Sequence, residues 1–420
     1  MEDVLIVGGG PVGLITAIGL ARHGLQVRII EAEQGVLASP RAMGYNRQAL
    51  DGLMLLDLFD DFAKAGFLSN ENCSRFYKTG EAFVAKSAFP EGLDHPYQLT
   101  LAINELTEVV LEHMARYPQI TCEWGTRFTA LKQFDDYVVV DAESQEGPLT
   151  IKAKWVVGAD GGRSGVRKGI GQELIGYTWP DRFVATNVRF NFEAHGWHSR
   201  GNSIIDNQFG AIIARLTRDG LWRVTFHEDA NLPVQGVRDR VLEYYRRVLP
   251  NEGEGAKLEI YSPYSMHQRC VEKMRVGRVV LAGDSAHVTN PTSGFGLVGG
   301  MFDAFCLIDA LAATAKGEMD DRVLDEYSRL RRKVFLEVSS PISCESKRRV
   351  FHLTEPELEE ERERMVRAQK EGMGWGTGTR TYNSFRLETP SLVTGRSTAE
   401  ERMRTIGPGP MSWTDDQLLL

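Results

Sequence analysis

Three glycines near the beginning of the sequence have the spacing of a loop that binds a pyrophosphate. Gly8, Gly10 and Gly13 form a GxGxxG pattern between a strand-like run, residues 3–7, and a helical pattern. Such a loop lets the backbone approach a pyrophosphate, which then lies at the positive end of the helix. Glu31 ends the next apolar run, where a carboxylate accepts hydrogen bonds from a ribose. The pattern indicates an ADP-containing cofactor, either NAD or FAD, rather than a glycine-rich turn without a ligand.

Two later turns also follow strand-like runs and combine a carboxylate with glycines. The first is GADGGRS, at residues 158–164, and the second is GDSAH, at residues 283–287. A carboxylate at the end of a strand is placed to accept hydrogen bonds from a ligand. The alternatives are a helix N-cap for Asp284 and a structural turn for Asp160.

A parallel sheet is needed to bring these motifs together. The first thirty residues form one βαβ unit, whose right-handed crossover implies such a sheet. Roughly between residues 172 and 270 the pattern changes to short alternating segments with turn signals, which is typical of an antiparallel sheet. After Gly294 the pattern becomes helical, and Thr354 with Glu357 forms a capping box at the start of a charged helix.

The predicted fold class is therefore α/β, with a discontinuous Rossmann-like domain, an inserted antiparallel sheet and C-terminal helices. We assign residues 1–171 and 271–345 to the Rossmann-like domain and residues 172–270 to the inserted sheet. Residues 346–420 are predicted to be a C-terminal helix followed by an extended tail.

In this order and spacing, the three motifs resemble those of FAD-dependent aromatic hydroxylases, the para-hydroxybenzoate hydroxylase-like family of single-component flavoprotein monooxygenases. The resemblance covers roughly residues 3–350. It implies that the discontinuous domain binds FAD and that the inserted sheet binds substrate. It further implies that NADH or NADPH reduces FAD, which then reacts with dioxygen. A flavin C4a-hydroperoxide would transfer one oxygen atom to a small, electron-rich aromatic substrate, most simply a phenol.

The resemblance also implies roles for residues around the flavin. Asp284 would accept a hydrogen bond from a ribityl hydroxyl, and the helix after Gly294 would direct its amide dipole at the pyrimidine end of the ring. Pro291 would lie by the reactive C4a edge. Arg41 would lie beside the ring, although a surface arginine in a loop is equally compatible with the sequence. The predicted cofactor-binding residues are Gly8, Gly10, Pro11, Val12, Gly13, Glu31, Arg41, Asp160, Gly283, Asp284, Pro291, Gly294, Gly296 and Leu297.

Two positions depart from the family pattern. Relatives usually carry an Asn shortly after the last glycine pair, where this chain has Leu297, so only backbone amides could contact the flavin carbonyl there. The helix that contributes an Arg or Gln to FAD in relatives corresponds to residues 103–106, which contain neither type. Asn104 could partly substitute for such a residue.

One strand of the inserted sheet carries the candidate catalytic residues. Alternation in the run Leu221–His227 places Arg223, Thr225 and His227 on one face. Arg223 could hold an anionic substrate and His227 could accept a phenolic proton, unless that face points outward. The predicted catalytic residues are Arg223, His227 and Pro291, with Tyr264 and His267 as similar candidates.

Composition excludes several other classes. The chain has 420 residues and a net charge of -8, which argues against a broad surface for nucleic acid or anionic lipid. Its five cysteines are far apart, so neither a disulfide framework nor a metal site is expected. The sequence passes from Met1 directly into the strand-like run at residues 4–7, so we expect no secretory leader, and nowhere do about 18 apolar residues follow one another without a charge. We expect a cytoplasmic enzyme without a transmembrane segment, with a homodimer as one possible assembly.

Other activities share the same FAD architecture. An epoxidase, a halogenase or a lipid-saturating reductase would use the same motifs, although the WxWxIP motif of halogenases is absent from the sequence. A non-catalytic flavin-binding interaction protein is the alternative outside enzymes.

Overall fold

The structure is a computed structural model that describes residues 1–37, 43–69, 71–86, 98–197, 201–371 and 385–406. The strands are β1 Glu2–Val7, β2 Val27–Ile30, β3 Gly44–Tyr45, β4 Phe67–Ser69, β5 Glu71–Phe76, β6 Ala82–Lys86, β7 Gln98–Thr100, β8 Ile120–Glu123, β9 Arg127–Gln133, β10 Val138–Ser144, β11 Gly147–Gly158, β12 Ile175–Arg189, β13 Gly201–Ile205, β14 Ala211–Arg215, β15 Leu221–Asp229, β16 Lys257–Cys270, β17 Arg275–Val276, β18 Val279–Leu281 and β19 His287–Val288. The α-helices are α1 Pro11–Arg22, α2 Arg47–Leu55, α3 Phe59–Ala65, α4 Ile103–Met114, α5 Gly165–Gly169, α6 Val237–Val248, α7 Phe295–Ala315, α8 Val323–Val334, α9 Ser340–Phe351, α10 Glu355–Lys370 and α11 Thr398–Thr405.

A mainly parallel sheet forms the first layer. Its strand order is β17-β18-β11-β1-β2-β8, with β17 antiparallel to β18, and β10 and β9 continue from β11 as an antiparallel extension. Val4, Leu5 and Ile6 of β1 are fully buried because both faces of this central strand are covered. The carboxyl ends of β1, β11 and β18 lead directly into the three glycine-containing turns.

A second sheet of eight strands has the order β19-β16-β12-β15-β14-β13-β5-β6. Its neighbours are antiparallel except β13 and β5, which pair in parallel with Ile204 opposite Arg75. Two strands from residues 71–86 therefore extend the sheet that the sequence placed at residues 172–270. One face packs on α6, where Phe226 stacks on Tyr244 with ring centroids 3.9 Å apart. The predicted combination of an α/β fold with an antiparallel sheet is confirmed.

The C-terminal part is helical. The predicted capping box is present at α10, since Glu357 accepts a hydrogen bond of 2.8 Å from the Thr354 amide. Within the region expected to be an extended tail, α11 is a helix with its own capping box, Ser397 and Glu400. It buries Arg402, whose Nε donates to Asp51 at 2.8 Å. The spacing of Ser397 and Glu400 is the sequence signal from which this helix could have been predicted.

Among the described residues, α7 is the helix that has the length and apolar composition a membrane span would need. However, 78% of its apolar window is buried inside the protein. It also carries the fully buried Asp303 in an ion pair with Arg331 at 2.8 Å. These are the properties of a core helix.

Candidate active site

A cavity of about 2210 Å³ lies between the carboxyl ends of the parallel strands and one face of the second sheet. Most of the predicted site residues line it: Gly8, Gly10, Pro11, Val12, Glu31, Asp160, Arg223, Gly283, Asp284, Pro291, Gly294, Gly296 and Leu297. Gly13 is buried within α1 behind the loop. His227 is not part of the lining. Arg41 lies outside the described residues.

The first turn forms a cradle at the N-terminus of α1. A Cβ on Gly13 would lie 2.1 Å from the carbonyl oxygen of Gly8, so only glycine permits this close turn. At Gly10, by contrast, a Cβ would meet no atom within 4 Å. The helix starts at Pro11 without a side-chain cap, which leaves its first amides available to an anion. This geometry fits a pyrophosphate.

Glu31 is fixed at the end of β2 by two backbone amides. Its carboxylate oxygens accept hydrogen bonds from Gly9 at 2.7 Å and from Glu33 at 2.9 Å. The side chain lines the cavity beside the α1 cradle, the position where a ribose adjoins the pyrophosphate in a dinucleotide-binding fold.

Asp160 caps α5. Its carboxylate accepts hydrogen bonds from the amides of Gly165 at 2.7 Å and Val166 at 3.1 Å and from the Ser164 hydroxyl. Burial raises the pKa of this carboxyl, although these hydrogen bonds oppose the shift. The contacts match the structural turn that the sequence left open as the alternative role, while the residue also lines the cavity.

A buried ion cluster lies beneath the turn at residues 283–287, which we call the GD turn. Asp303 accepts hydrogen bonds from the Gly283 amide at 2.9 Å, from His287 Nε2 at 2.8 Å and from Arg331 Nε at 2.8 Å. Burial by itself would raise the pKa of Asp303, but the charges and hydrogen bonds of His287 and Arg331 outweigh it and hold the pKa below its usual range. Sequence analysis missed Asp303 and Arg331. An acidic residue in the middle of the apolar α7 segment was the available signal.

The loop before α7 brings backbone amides to the same cavity. Asn290 caps the 3-10 turn Pro291–Ser293, and Gly294 follows with φ +76° as the N-cap of α7. This helix also begins without a side-chain cap. Asp284 is exposed to the cavity and is not an N-cap, because Ala282 has that position in its turn. Two uncapped helix N-termini, α1 and α7, therefore line one cavity, which suits a ligand with a pyrophosphate and a second electron-rich end.

The wall from the second sheet carries a buried cation. Arg223 is 2% exposed, and its Nε donates to Asn187 Oδ1 at 2.8 Å. Burial lowers its pKa to about 10, with the neighbouring Tyr264 and Tyr45 opposing the shift, so the guanidinium stays charged at neutral pH. Tyr264 and Thr225 line the cavity with it.

His227 lies outside the cavity. Its Nδ1 is 3.2 Å from Asp181 Oδ2, and Lys347 Nζ donates to both oxygens of the same carboxylate at 2.9 and 2.7 Å. Alternation correctly grouped it with Arg223, but four residues along a strand span about 13 Å, and β15 extends past the edge of the cavity. The position of His227 therefore does not support its predicted role as a catalytic base. His267 does line the cavity, and burial together with the charge of Arg269 lowers its pKa.

Asp181, His227 and His352 have atoms close enough to hold a metal ion together. In this structure Lys347 provides the positive charge of that cluster, because its ammonium bonds both Asp181 oxygens and contacts His352 Nε2. The group is therefore an ionic cluster centred on the buried amino group of Lys347.

Polar residues that sequence analysis did not select line the cavity at the start of α2. They are Asn46, which caps the helix at Ala49, together with Arg47 and Gln48. On α4 the residue that lines the cavity is Ile103, and Asn104 does not. The N-cap at Asn46 was the sequence signal that could have drawn attention to this helix.

Comparisons with known proteins agree with this geometry. A family described as FAD binding domain matches residues 1–339. Para-nitrophenol 4-monooxygenase of Pseudomonas sp. (strain WBC-3) is 40% identical over 346 residues, which cover 81% of this chain and 85% of the relative. The 6-hydroxy-3-succinoylpyridine 3-monooxygenase HspB of Pseudomonas putida (strain DSM 28022 / S16) is 38% identical over 353 residues, or 84% of this chain and 89% of the relative. The crystal structure of p-nitrophenol 4-monooxygenase PnpA from Pseudomonas putida DLL-E4 matches with a TM-score of 0.87 and 36% identity, covering 92% of this chain and 98% of the other.

The fold and the site thus define a flavoprotein with a Rossmann-type FAD-binding domain and a second, antiparallel sheet. The chain belongs to the FAD-binding-domain family that contains the FAD-dependent aromatic hydroxylases. It is an FAD-dependent aromatic monooxygenase with NAD(P)H as reductant, as the sequence resemblance implied. The comparisons therefore favour this activity over the epoxidase, halogenase, reductase and non-catalytic alternatives.

Proposed function

We propose that the substrate is a phenol, or a hydroxylated nitrogen heterocycle, with an electron-withdrawing group on the ring, and that it binds as the anion against Arg223. The observation that carries this proposal is a buried guanidinium on the wall of the cavity, beside Tyr264. The names of the relatives support it, because they act on para-nitrophenol and on 6-hydroxy-3-succinoylpyridine.

Electron-withdrawing groups make a ring hydroxyl more acidic. Such a substrate loses its proton near neutral pH, and a fixed cation in a cavity of low dielectric then stabilises the anion. Ionisation also raises the electron density of the ring, which is the property that oxygen transfer needs. A separate catalytic base becomes unnecessary, which fits the position of His227 outside the cavity.

When bound, FAD would supply the oxygen-activating chemistry, with NAD(P)H as the reductant and dioxygen as the source of the oxygen atom. The chain has the remaining tasks. Arg223 holds the substrate oxygen, while Ile212, Ala214 and Met266 line the cavity with apolar atoms that exclude water. The loop around Pro291 sets the distance between the substrate and the flavin.

For the cofactor, we propose that the predicted residues divide into two groups. The α1 cradle and Glu31 hold the ADP half. The flavin half is held by Gly283, Asp284, Pro291, Gly294, Gly296 and Leu297. This division is supported by the close turn at Gly13, by the open space at Gly10 and by the uncapped start of α7.

The cytoplasm remains our proposal for the location. All five cysteines lie in the described part of the chain, and each is free. A homodimer stays a prediction from the sequence.

Binding measurements with Arg223→Met test the proposal. In the parent enzyme, titration with 4-nitrophenol should give the spectrum of bound phenolate at pH values below the free phenol's pKa. The variant should lose this spectrum and bind the anion about 30-fold or more weaker, since breaking a buried charge pair costs about 2–5 kcal/mol. Arg182→Met is the matched control, because Arg182 is a buried arginine of the same sheet that pairs with Glu228 and does not line the cavity. Equal binding of phenolate in the parent and in Arg223→Met would refute the proposal.

A further inference from the structure

One buried amide joins three elements around the cavity. Gln268, near the end of β16, is 4% exposed, and its backbone lies opposite Tyr177 in β12. The side chain points away from that ladder, toward the loop that precedes α7 and toward the start of α9, as its hydrogen bonds show.

Both ends of this amide are engaged. Gln268 Nε2 donates to Thr289 Oγ1 at 2.8 Å, to Ser340 Oγ at 3.0 Å and to the Ser340 carbonyl at 3.2 Å. Its Oε1 accepts from the Asn290 amide at 3.1 Å and from Asn290 Nδ2 at 3.3 Å. Because a side-chain amide has two donors and one acceptor oxygen, no other natural side chain of this length can make all of these bonds.

The bonds continue to the cavity wall. Asn290 is fully buried, and its Oδ1 accepts the amide of Thr292 at 3.2 Å. That bond caps the turn Pro291–Ser293, which leads into the N-terminus of α7. Thr289, Pro291 and Thr292 all line the cavity.

The other two elements also contribute to the cavity. β16 carries Tyr264 and His267 on its wall, and α9 carries Ser346 and Arg349. Ser340, the α9 partner of the amide, directly follows a π-helical turn at Phe335–Ser339. Such turns in long helices occur frequently at functional sites.

We infer that Gln268 is a positioning residue that fixes the spacing between the substrate wall on β16 and the flavin-side loop Thr289–Ser293. This inference rests on the proposed function for its consequence in catalysis. Oxygen transfer needs the ring and the flavin in one geometry, and a misplacement of about 1 Å costs on the order of 100-fold in such a step. Reduction of the flavin by NAD(P)H does not require the substrate ring to lie in the geometry of oxygen transfer.

The predicted signature is therefore uncoupling. In Gln268→Leu, NAD(P)H oxidation should continue within about threefold, while the fraction that ends as hydroxylated product falls about tenfold and hydrogen peroxide makes up the difference. A variant that had merely lost folded structure would show lower rates of NAD(P)H oxidation and of product formation together. Thr186→Val is the control, because Thr186 is a fully buried residue of the same sheet that bonds Tyr245 and does not line the cavity. It should keep the parent's product fraction.

A second measurement needs neither substrate nor turnover. Hydrogen exchange of the amides of Asn290 and Thr292 in the purified chain should be at least about tenfold faster in Gln268→Leu and unchanged in Thr186→Val. Failure of the parent to hydroxylate any phenol would refute the proposed function. The exchange measurement would still show whether Gln268 holds the loop Thr289–Ser293 in place.

Gln268→Glu serves if the leucine variant does not fold. It keeps an acceptor for Asn290, and the hydroxyls of Thr289 and Ser340 can donate to its new oxygen, so the product fraction should lie between those of the parent and the leucine variant. Product fraction and exchange rates equal to the parent's in the folded Gln268 variants would overturn the inference.

Discussion

Asp303 lies directly beneath the turn of the GD motif, and its carboxylate accepts a hydrogen bond of 2.9 Å from the amide of Gly283. The second oxygen of the same carboxylate is held by Arg331 at 2.8 Å. Arg331 in turn donates to the Leu387 carbonyl at 2.7 Å. The turn that presents Asp284 to the cavity is therefore tied to α7, α8 and the C-terminal segment by one buried anion.

Replacing Asp303 by Asn should destabilise the protein strongly. The change leaves Arg331 buried without its counter-ion, which costs about 3–5 kcal/mol of unfolding free energy. Urea denaturation measures the loss. Asp309→Asn on the same helix is the control, because Asp309 pairs with His23 at a partly exposed position and should cost less than about 1 kcal/mol. Equal effects of the two changes would contradict this account of the cluster.

The same carboxylate makes stability depend on pH. Its folded-state pKa is held below the value of an unfolded Asp, so the folded state favours the ionised form. The stabilisation is complete above the unfolded pKa of about 3.9 and is lost as the pH falls below it toward the folded pKa. Unfolding free energy measured from pH 6 down to pH 2.5 should therefore fall less steeply in Asp303→Asn than in the parent. Ser328→Ala, which removes a buried hydrogen bond to Met274 without a titratable group, should keep the parent's slope.

The cradle at α1 predicts a selective loss of cofactor binding. In Gly10→Ala the new Cβ meets no protein atom within 4 Å, so the chain should fold with the parent's melting temperature. The methyl group projects where a pyrophosphate must approach the helix, and FAD affinity should fall about tenfold or more. Fluorescence titration of FAD measures this change. Gly35→Ala also meets no atom within 4 Å and does not line the cavity, and it should bind FAD as the parent does.

His227→Gln tests the position of the residue that sequence analysis selected as a base. A glutamine can still donate to Asp181, and the side chain lies outside the cavity. Product formation should stay within about twofold of the parent. Removal of a general base would instead lower the rate of product formation about 100-fold or more, and such a result would show that His227 is a catalytic residue.

The parts of the site that follow from the sequence are those encoded by adjacent residues. The GxGxxG loop, the end of β2 at Glu31 and the GD turn each depend on a strand followed by a short turn, and periodicity with glycine spacing reveals both. Arg223 was selected because alternation fixes which residues share a face of β15.

The remaining features depend on distant parts of the chain. β5 joins β13 across more than a hundred residues, and no local pattern in residues 71–86 specifies that parallel pairing. His227 was misplaced because alternation gives the face of a strand but not how far along that strand the cavity extends. The pairing of Asp303 with Arg331 required the relative position of α7 and α8, although a carboxylate in an apolar helix already implied a buried partner.

Isotope labelling tests the central claim most directly. The purified enzyme, saturated with FAD, is supplied with NAD(P)H, 4-nitrophenol or a related acidic phenol, and ¹⁸O-labelled dioxygen. The account predicts a hydroxylated product that carries one ¹⁸O atom for each NAD(P)H oxidised in the coupled reaction. Product oxygen derived from water, or NAD(P)H oxidation that yields no labelled product with any acidic phenol, would contradict it.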